Sequence, residues 1–165
     1  MKLTAYIHAM YIAPSAGEQM RSISHAQINA NLGIEGDRYA LGTGAYSKTQ
    51  PAKIRDVSLI ALAGIDIAND WLKTRNAQVF HSADTRRNIV LGTITAQELN
   101  ALIGQEFLLG SVLMLGTELC APCERPAKLL GKSSFLDAFE GRGGIRAKIL
   151  QSGSVAIGDQ LLTRG

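Results

Sequence analysis

The feature that most constrains this chain is a succession of short apolar runs cut by glycine and aspartate. Phe107 to Leu109 and Val112 to Leu119 flank a Gly-Ser pair. Gly144 to Leu150 alternates at Ile145, Ala147 and Ile149, and Gln151-Ser-Gly153-Ser154 turns the chain toward Val155 and Ile157. Gly158-Asp159 turns it again before Leu161 and Leu162. Runs this short, with alternating apolar positions and turn residues between them, make strands. A chain of such strands is mostly β and must close as a barrel or stack as a sandwich. Between these two the pattern does not choose.

The remaining segments decorate that β framework. Leu3 to Ile12 predicts a first strand, Pro14 to Gly17 a turn, and Ile23 with Ile28 a second extended segment. Asn29 to Asp37 is rich in turn residues and reads as loop. Ile54 to Ile60 predicts a strand, and roughly Ala61 to Leu72 a helix with Leu62, Ile65 and Trp71 on its apolar face. Asn88 to Leu91 is a short strand. Thr95 and Glu98 have capping-box spacing, and Gly104 can close the helix, with Leu99, Leu102 and Ile103 toward the core. Lys128 to Leu130 predicts the end of a short helix, and Ser134 to Glu140 another, stopped by Gly141. No repeat, low-complexity tail or internal boundary divides the 165 residues, so one domain over 1–165 is expected.

Composition narrows the function classes. Lys and Arg number 17 against 14 Asp and Glu, a net charge of +3. That surplus is too small to predict a nucleic-acid surface and is equally compatible with a small anionic ligand. No apolar stretch is long enough to span a bilayer, and the N-terminal run is cut by His8 and Pro14. A cytoplasmic protein with no membrane association is the expectation, and a homodimer is a reasonable prior.

There are two cysteines, Cys120 and Cys123, in the loop Cys120-Ala-Pro-Cys123. A disulfide framework needs more cysteines, dispersed along the chain. The pair therefore reads as a local chemical feature. Pro122 restricts the loop, and Arg125 and Lys128 could stabilise a thiolate, with Glu124 opposing them. A structural zinc site needs four ligands, and His8, His25 and His81 have no tight spacing with the cysteines. A redox dithiol and two buried cysteines filling a turn are the competing readings.

Three polar clusters accompany the cysteines. Gly33-Ile-Glu-Gly36-Asp37-Arg38 can form a tight loop in which Asp37 accepts backbone hydrogen bonds or pairs with Arg38. Arg86-Arg87-Asn88 offers guanidinium forks for oxyanions and an amide that can orient a carbonyl. Arg142-Gly143-Gly144-Ile145-Arg146 could bring backbone N–H groups to an anion, reinforced by Arg142 or Arg146. Neither a dinucleotide fingerprint nor a Walker loop is present.

Taken in order, Gly33-Ile-Glu-Gly36-Asp37-Arg38, Arg87-Asn88, Cys123, Arg142-Gly143 and Gly158-Asp159 resemble the MOSC domain family, associated with molybdenum-cofactor sulfurases. The resemblance covers nearly the whole chain. It implies a MOSC-type, mostly β, barrel-like fold decorated by short helices. It also implies sulfur transfer or chemistry linked to the molybdenum cofactor. On that resemblance Cys123 is a persulfide carrier or molybdenum thiolate, and Cys120 a helper or resolving thiol. Arg87, Asn88, Arg142 and Arg146 would line a polar cofactor pocket, which Asp37 would shape through its loop.

The chain lacks the aminotransferase-like domain of the large sulfurases, so pyridoxal phosphate is not expected. It also has little room for the additional N-terminal barrel of amidoxime-reducing members. Compact stand-alone relatives look like proteins that detoxify N-hydroxylated bases. Reduction would require an electron-transfer partner, and sulfur carriage a sulfur donor and acceptor. The alternatives are a non-catalytic cofactor- or anion-binding module and a Cys120/Cys123 thiol–disulfide oxidoreductase.

Overall fold

A computed structural model of the chain describes residues 4–45, 47, 54–120 and 135–163. The strands are β1 (Thr4–Ile12), β2 (Arg21–Ile23), β3 (His25–Asn29), β4 (Gly33–Ile34), β5 (Val57–Ala61), β6 (Ile89–Gly92), β7 (Glu106–Leu109), β8 (Val112–Leu119), β9 (Ile145–Gln151), β10 (Gly153–Ala156) and β11 (Gln160–Thr163). The helices are α1 (Arg38–Leu41), α2 (Leu62–Thr74), α3 (Ala96–Asn100) and α4 (Phe135–Ala138), with a 3₁₀ turn at Ser82–Thr85.

Hydrogen-bonded neighbours run β11-β7-β8-β9-β5-β6-β1, and β1 pairs back onto β11. Seven strands therefore close into a barrel, with β2 added at the edge of β1. Closure decides between the two architectures that the strand pattern allowed. It also removes most of the open edge that an antiparallel sheet would otherwise expose. The β5–β6 ladder is parallel, and the other ladders of the barrel among the described residues are antiparallel. A parallel joint needs a long crossover. Here α2 and the segment after it provide one.

The interior is filled, as expected for a small barrel. Ile7 and Met10 of β1, Leu59 of β5, Ile89 of β6, Phe107 of β7, Met114 of β8, Ile145 and Ile149 of β9, and Leu161 of β11 share one buried cluster. The alternation at Ile145, Ala147 and Ile149 is the inward face of β9. In β5 and β6 both faces are buried. Leu59, Ala61, Ile89 and Leu91 point into the barrel, whereas Ile60 and Val90 pack outward against Ile65, Ala68 and Leu72 of α2. Two-sided burial explains why Leu59–Ala61 and Ile89–Leu91 are uninterrupted apolar stretches.

A second cluster outside the barrel anchors the segment that leads into β9. Phe135 and Phe139 stack at 4.5 Å between ring centroids, and Phe80 meets both edge-on at 5.2 and 5.7 Å. Asn69 of α2 clamps Phe80 through its backbone, accepting from Phe80 N and donating to Phe80 O, both at 2.9 Å. The capping box of Thr95 and Glu98 is present, and Leu99 and Leu102 are buried.

Three expectations change. The extended segment around Ile23 and Ile28 is two strands broken at Ser24, β2 on the barrel and β3 in a separate sheet ordered β10-β3-β4. The stretch from Asn29 to Asp37 is not all loop. Gly33–Ile34 pairs with β3, because Ile28 and Ile34 are both core residues. Ser82–Thr85 forms a 3₁₀ turn that no apolar periodicity announces. The helix expected at 128–130 lies outside the described residues.

Asp56, just before β5, is an acid partly withdrawn from water. Burial raises its pKa above the ordinary carboxylate value, against the hydrogen bond from Ile149 N at 3.1 Å and the nearby Lys148. A raised folded-state pKa contributes stability at low pH that is lost as pH rises through the folded value. Asp56→Asn should therefore gain stability relative to wild type as pH rises from about 4 toward neutrality. Urea unfolding at several pH values reads this difference. A gap that stays constant or shifts the other way would refute the assignment.

Candidate functional site

The site begins on the outer face of the barrel, where Asn88 precedes β6. Its inward neighbours are core residues, so the amide lies on the opposite side, yet it is 2% exposed. Its Oδ1 accepts from Ser58 N at 3.1 Å and Ser58 Oγ at 3.2 Å. Its Nδ2 donates to the Tyr11 carbonyl at 3.1 Å. Its backbone N–H donates to Ser58 Oγ at 3.0 Å, and its carbonyl accepts from Tyr11 N at 2.7 Å. Asn88 thus ties β1, β5 and β6 together. An amide engaged in this way braces the strands more than it offers itself to a ligand.

Arg87 is half-buried and runs from β6 toward the turn before β9. Its Nε donates to the Gly143 carbonyl at 2.7 Å and its Nη1 to the Thr85 carbonyl at 3.3 Å. Arg142 immediately precedes Gly143 in the chain, and its bonds run back toward α4. Its backbone N–H donates to the Phe139 carbonyl at 2.8 Å, and its Nη1 to the Ala138 carbonyl at 2.9 Å. Both guanidiniums keep further N–H donors outside any hydrogen bond among the described residues, Nη2 in Arg87 and Nε and Nη2 in Arg142.

The Gly143-Gly144 doublet makes this approach possible. Gly144 has φ 90°, and a Cβ there would collide with the Leu59 carbonyl of β5. Only glycine lets the turn lie flush on the barrel. The expected role of this doublet was to present N–H donors to an anion. In the structure its carbonyls are used, Gly143 O by Arg87 and Gly144 O by the N–H of Cys120 at 2.8 Å. Cys120 sits at the end of β8 and is 3% exposed, a free and covered thiol. Cys123 lies outside the described residues, in the segment that continues from Cys120.

Arg146 and Asp37 stand apart from this turn. Arg146 projects from the outer face of β9, opposite Ser58 of β5. Its Nη1 pairs with Glu118 Oε1 of β8 at 2.7 Å. Both side chains are partly exposed, so the pair contributes little stability by itself. Asp37 is fully buried. It caps α1 by accepting from Tyr39 N at 3.4 Å, accepts from Ala13 N at 3.2 Å and pairs with Arg38 Nη1 at 3.1 Å. Asp37 reaches the other motifs through Arg38, whose Nη2 donates to the Arg86 carbonyl at 3.3 Å.

A contact path therefore links the motifs. It runs from Asp37 to Arg38 to Arg86 and Arg87, then to Gly143 and Gly144, and ends at Cys120. Ser58, which supports Asn88, had no sequence signal of function, being a lone serine in an apolar strand, whereas Arg38 stands in the Gly33–Arg38 motif as the ionic partner of Asp37.

The MOSC domain model matches residues 55–162. The chain belongs to the MOSC domain family. The matched span includes Arg87, Asn88, both cysteines, Arg142 and Arg146, and begins after the Asp37 loop. Among solved structures, the YUAD protein from Bacillus subtilis has the same fold, with TM-score 0.78 and 17% identity over 100% of this chain and 99% of that one. YiiM from Geobacillus stearothermophilus has TM-score 0.71 and 13% identity, over 98% of this chain and 75% of that one. YiiM from Escherichia coli has TM-score 0.66 and 15% identity, over 100% and 70%. At these identities the likeness is one of fold. No curated protein matches the sequence.

Removing the Asn88 amide should cost more than an ordinary surface change. Asn88→Ala strands Ser58 N and the Tyr11 carbonyl, and should lower unfolding free energy by about 2–4 kcal/mol in urea titrations. A loss below about 0.5 kcal/mol, the size of a surface substitution, would mean that Asn88 is not the tie described. Cys120 should resist alkylation by iodoacetamide in the native protein and react once urea unfolds it. Site-resolved mass spectrometry measures both rates, and fast native labelling would contradict the burial.

Proposed function

We propose that this MOSC-family protein handles the molybdenum cofactor or activated sulfur through Cys123, with Arg87 and Arg142 holding an anionic group beside it. The observation that carries this reading is the half-buried Arg87, whose Nε bonds the Gly143 carbonyl while the neighbouring Gly144 carbonyl holds the Cys120 N–H; Arg142 adjoins the same glycines in the chain. Arginine forks suit phosphate and related oxyanions. Among the described residues, no three His, Cys, Asp or Glu side chains could hold a metal ion together. The available donors therefore fit the phosphate-bearing part of a cofactor rather than a bare cation, and leave a thiolate to meet the metal.

In the reductive reading, Arg87 and Arg142 would hold the cofactor's anionic end and the Cys123 thiolate would be its protein ligand. The Asn88–Ser58 network braces the strands beside Arg87. When bound, the cofactor supplies metal-centred redox chemistry. Reducing an N-hydroxylated base consumes two electrons and two protons and releases water, with the electrons coming from a partner protein. In the sulfur reading, Cys123 carries a persulfide loaded by a sulfur donor. An acceptor nucleophile attacks the outer sulfur, the S–S bond breaks and the Cys123 thiolate leaves.

A non-catalytic binding module would keep the guanidinium pair without thiol chemistry. A Cys120/Cys123 thiol–disulfide oxidoreductase is less well supported, because Cys120 is buried and its backbone is tied to β9. Among the described residues, no helix is long and apolar enough to cross a membrane. A cytoplasmic location and a homodimeric state belong to the same proposal.

The deciding experiment compares wild type and Cys123→Ala purified under conditions that preserve labile cofactors. Molybdenum present in wild type and lost in the variant supports reduction. Absence of molybdenum with the mass of an added sulfur on Cys123 supports sulfur carriage. Finding neither in the wild-type protein overturns the proposal.

A further inference from the structure

Arg86 adopts a left-handed backbone, φ 61°, which a long L side chain rarely takes. It does so immediately before Arg87. The turn is held from a different part of the chain. Arg38 Nη2 donates to the Arg86 carbonyl at 3.3 Å, while the Arg86 N–H closes the 3₁₀ turn on the Ala83 carbonyl at 3.1 Å.

Arg38 has little freedom to do anything else. It is 7% exposed, its Nη1 is shared by Asp37 Oδ1 at 3.1 Å and Met20 Sδ at 3.4 Å, and its guanidinium lies 5.0 Å from the Tyr39 ring centroid. Its backbone N–H is fixed to the Ala13 carbonyl at 2.7 Å. One planar fork therefore connects a buried carboxylate to a strained carbonyl. A lysine, with a single ammonium, could neutralise Asp37 without spanning both partners. Residues strained next to functional groups persist where surrounding contacts over-determine them.

We propose that Arg38 is a positioning residue: it holds Arg86 in the left-handed turn and so aims Arg87 at Gly143. The consequence for ligand binding rests on the reading of Arg87 and Arg142 as an anion-holding pair. The consequence for Arg87 geometry does not.

The test measures exchange of the Arg87 Nε–H by nitrogen-15 NMR and, separately, the dissociation constant for inorganic phosphate. Arg38→Lys should stay folded, speed Arg87 Nε–H exchange by about tenfold, the worth of one hydrogen bond, and weaken phosphate binding by a similar factor. Adding Arg86→Gly should restore both, because glycine takes a positive φ unaided. A merely structural arginine would not be rescued this way. Unchanged Arg87 exchange in Arg38→Lys, or failure of the glycine rescue, overturns the proposal. If Arg38→Lys does not fold, Arg86→Ala decides. It removes the Arg86 Nη1 contact with the Glu18 carbonyl but keeps the demand for a left-handed turn, so Arg87 protection must persist through Arg38. Its loss assigns the positioning to Arg86 itself. Wild-type protein that binds no phosphate would sink the anion-pair reading, and the exchange measurement would still decide the role of Arg38.

Discussion

Asn88 joins three strands beside the junction where the barrel departs from antiparallel pairing. The β5–β6 ladder is parallel, and its strands are covered on the inside by the barrel core and on the outside by α2 and the phenylalanine cluster. At the lower end of that ladder this apolar cover gives way to polar groups, which have to be satisfied. The Asn88 amide and the Ser58 hydroxyl satisfy one another and the Tyr11 carbonyl, locking β1, β5 and β6 in register. A fully bonded polar node of this kind specifies one arrangement, because any slip leaves buried donors without acceptors.

The site is a consequence of that node and of the packing beside it. Arg87 directly precedes the strand start that Asn88 fixes. The facing turn is carried by Phe135 and Phe139, which are held in turn by Phe80 and the Asn69 clamp. Arg87 therefore meets Gly143 from an element with its own anchor, while Arg142 is tied to the Ala138 carbonyl within the anchored segment. Gly144 completes the arrangement by letting the turn press against the Leu59 carbonyl. Apolar packing outside the barrel thus helps set the position of the charged groups beside it.

Sequence reading recovered most of the strands and the principal helix, because their apolar periodicity is strong. Val112 to Leu119 falls on β8, and the Thr95–Glu98 capping box starts α3. The split at Ser24 follows from β3 pairing with the distant β10, whereas the two-residue strand at Gly33–Ile34 and the 3₁₀ turn at Ser82–Thr85 are local but too short to carry an apolar period. For the site, sequence identified the polar clusters but not their division of labour. Asp37, Asn88 and Cys120 are buried and engaged, whereas Arg87 and Arg142 retain donors that face outward from their bonds.

By itself, the sequence determined a mostly β chain, the order of the polar motifs and hence the family to which they point, since both follow from residue type and spacing. Tertiary structure alone decided that the strands close, through β1 meeting β11, and that Asp37 is joined to the Arg86 carbonyl through Arg38. Closure and contact depend on pairing between residues more than a hundred positions apart in one case and on buried geometry in the other. Neither leaves a local trace, because a strand has the same alternation whichever partner it finds.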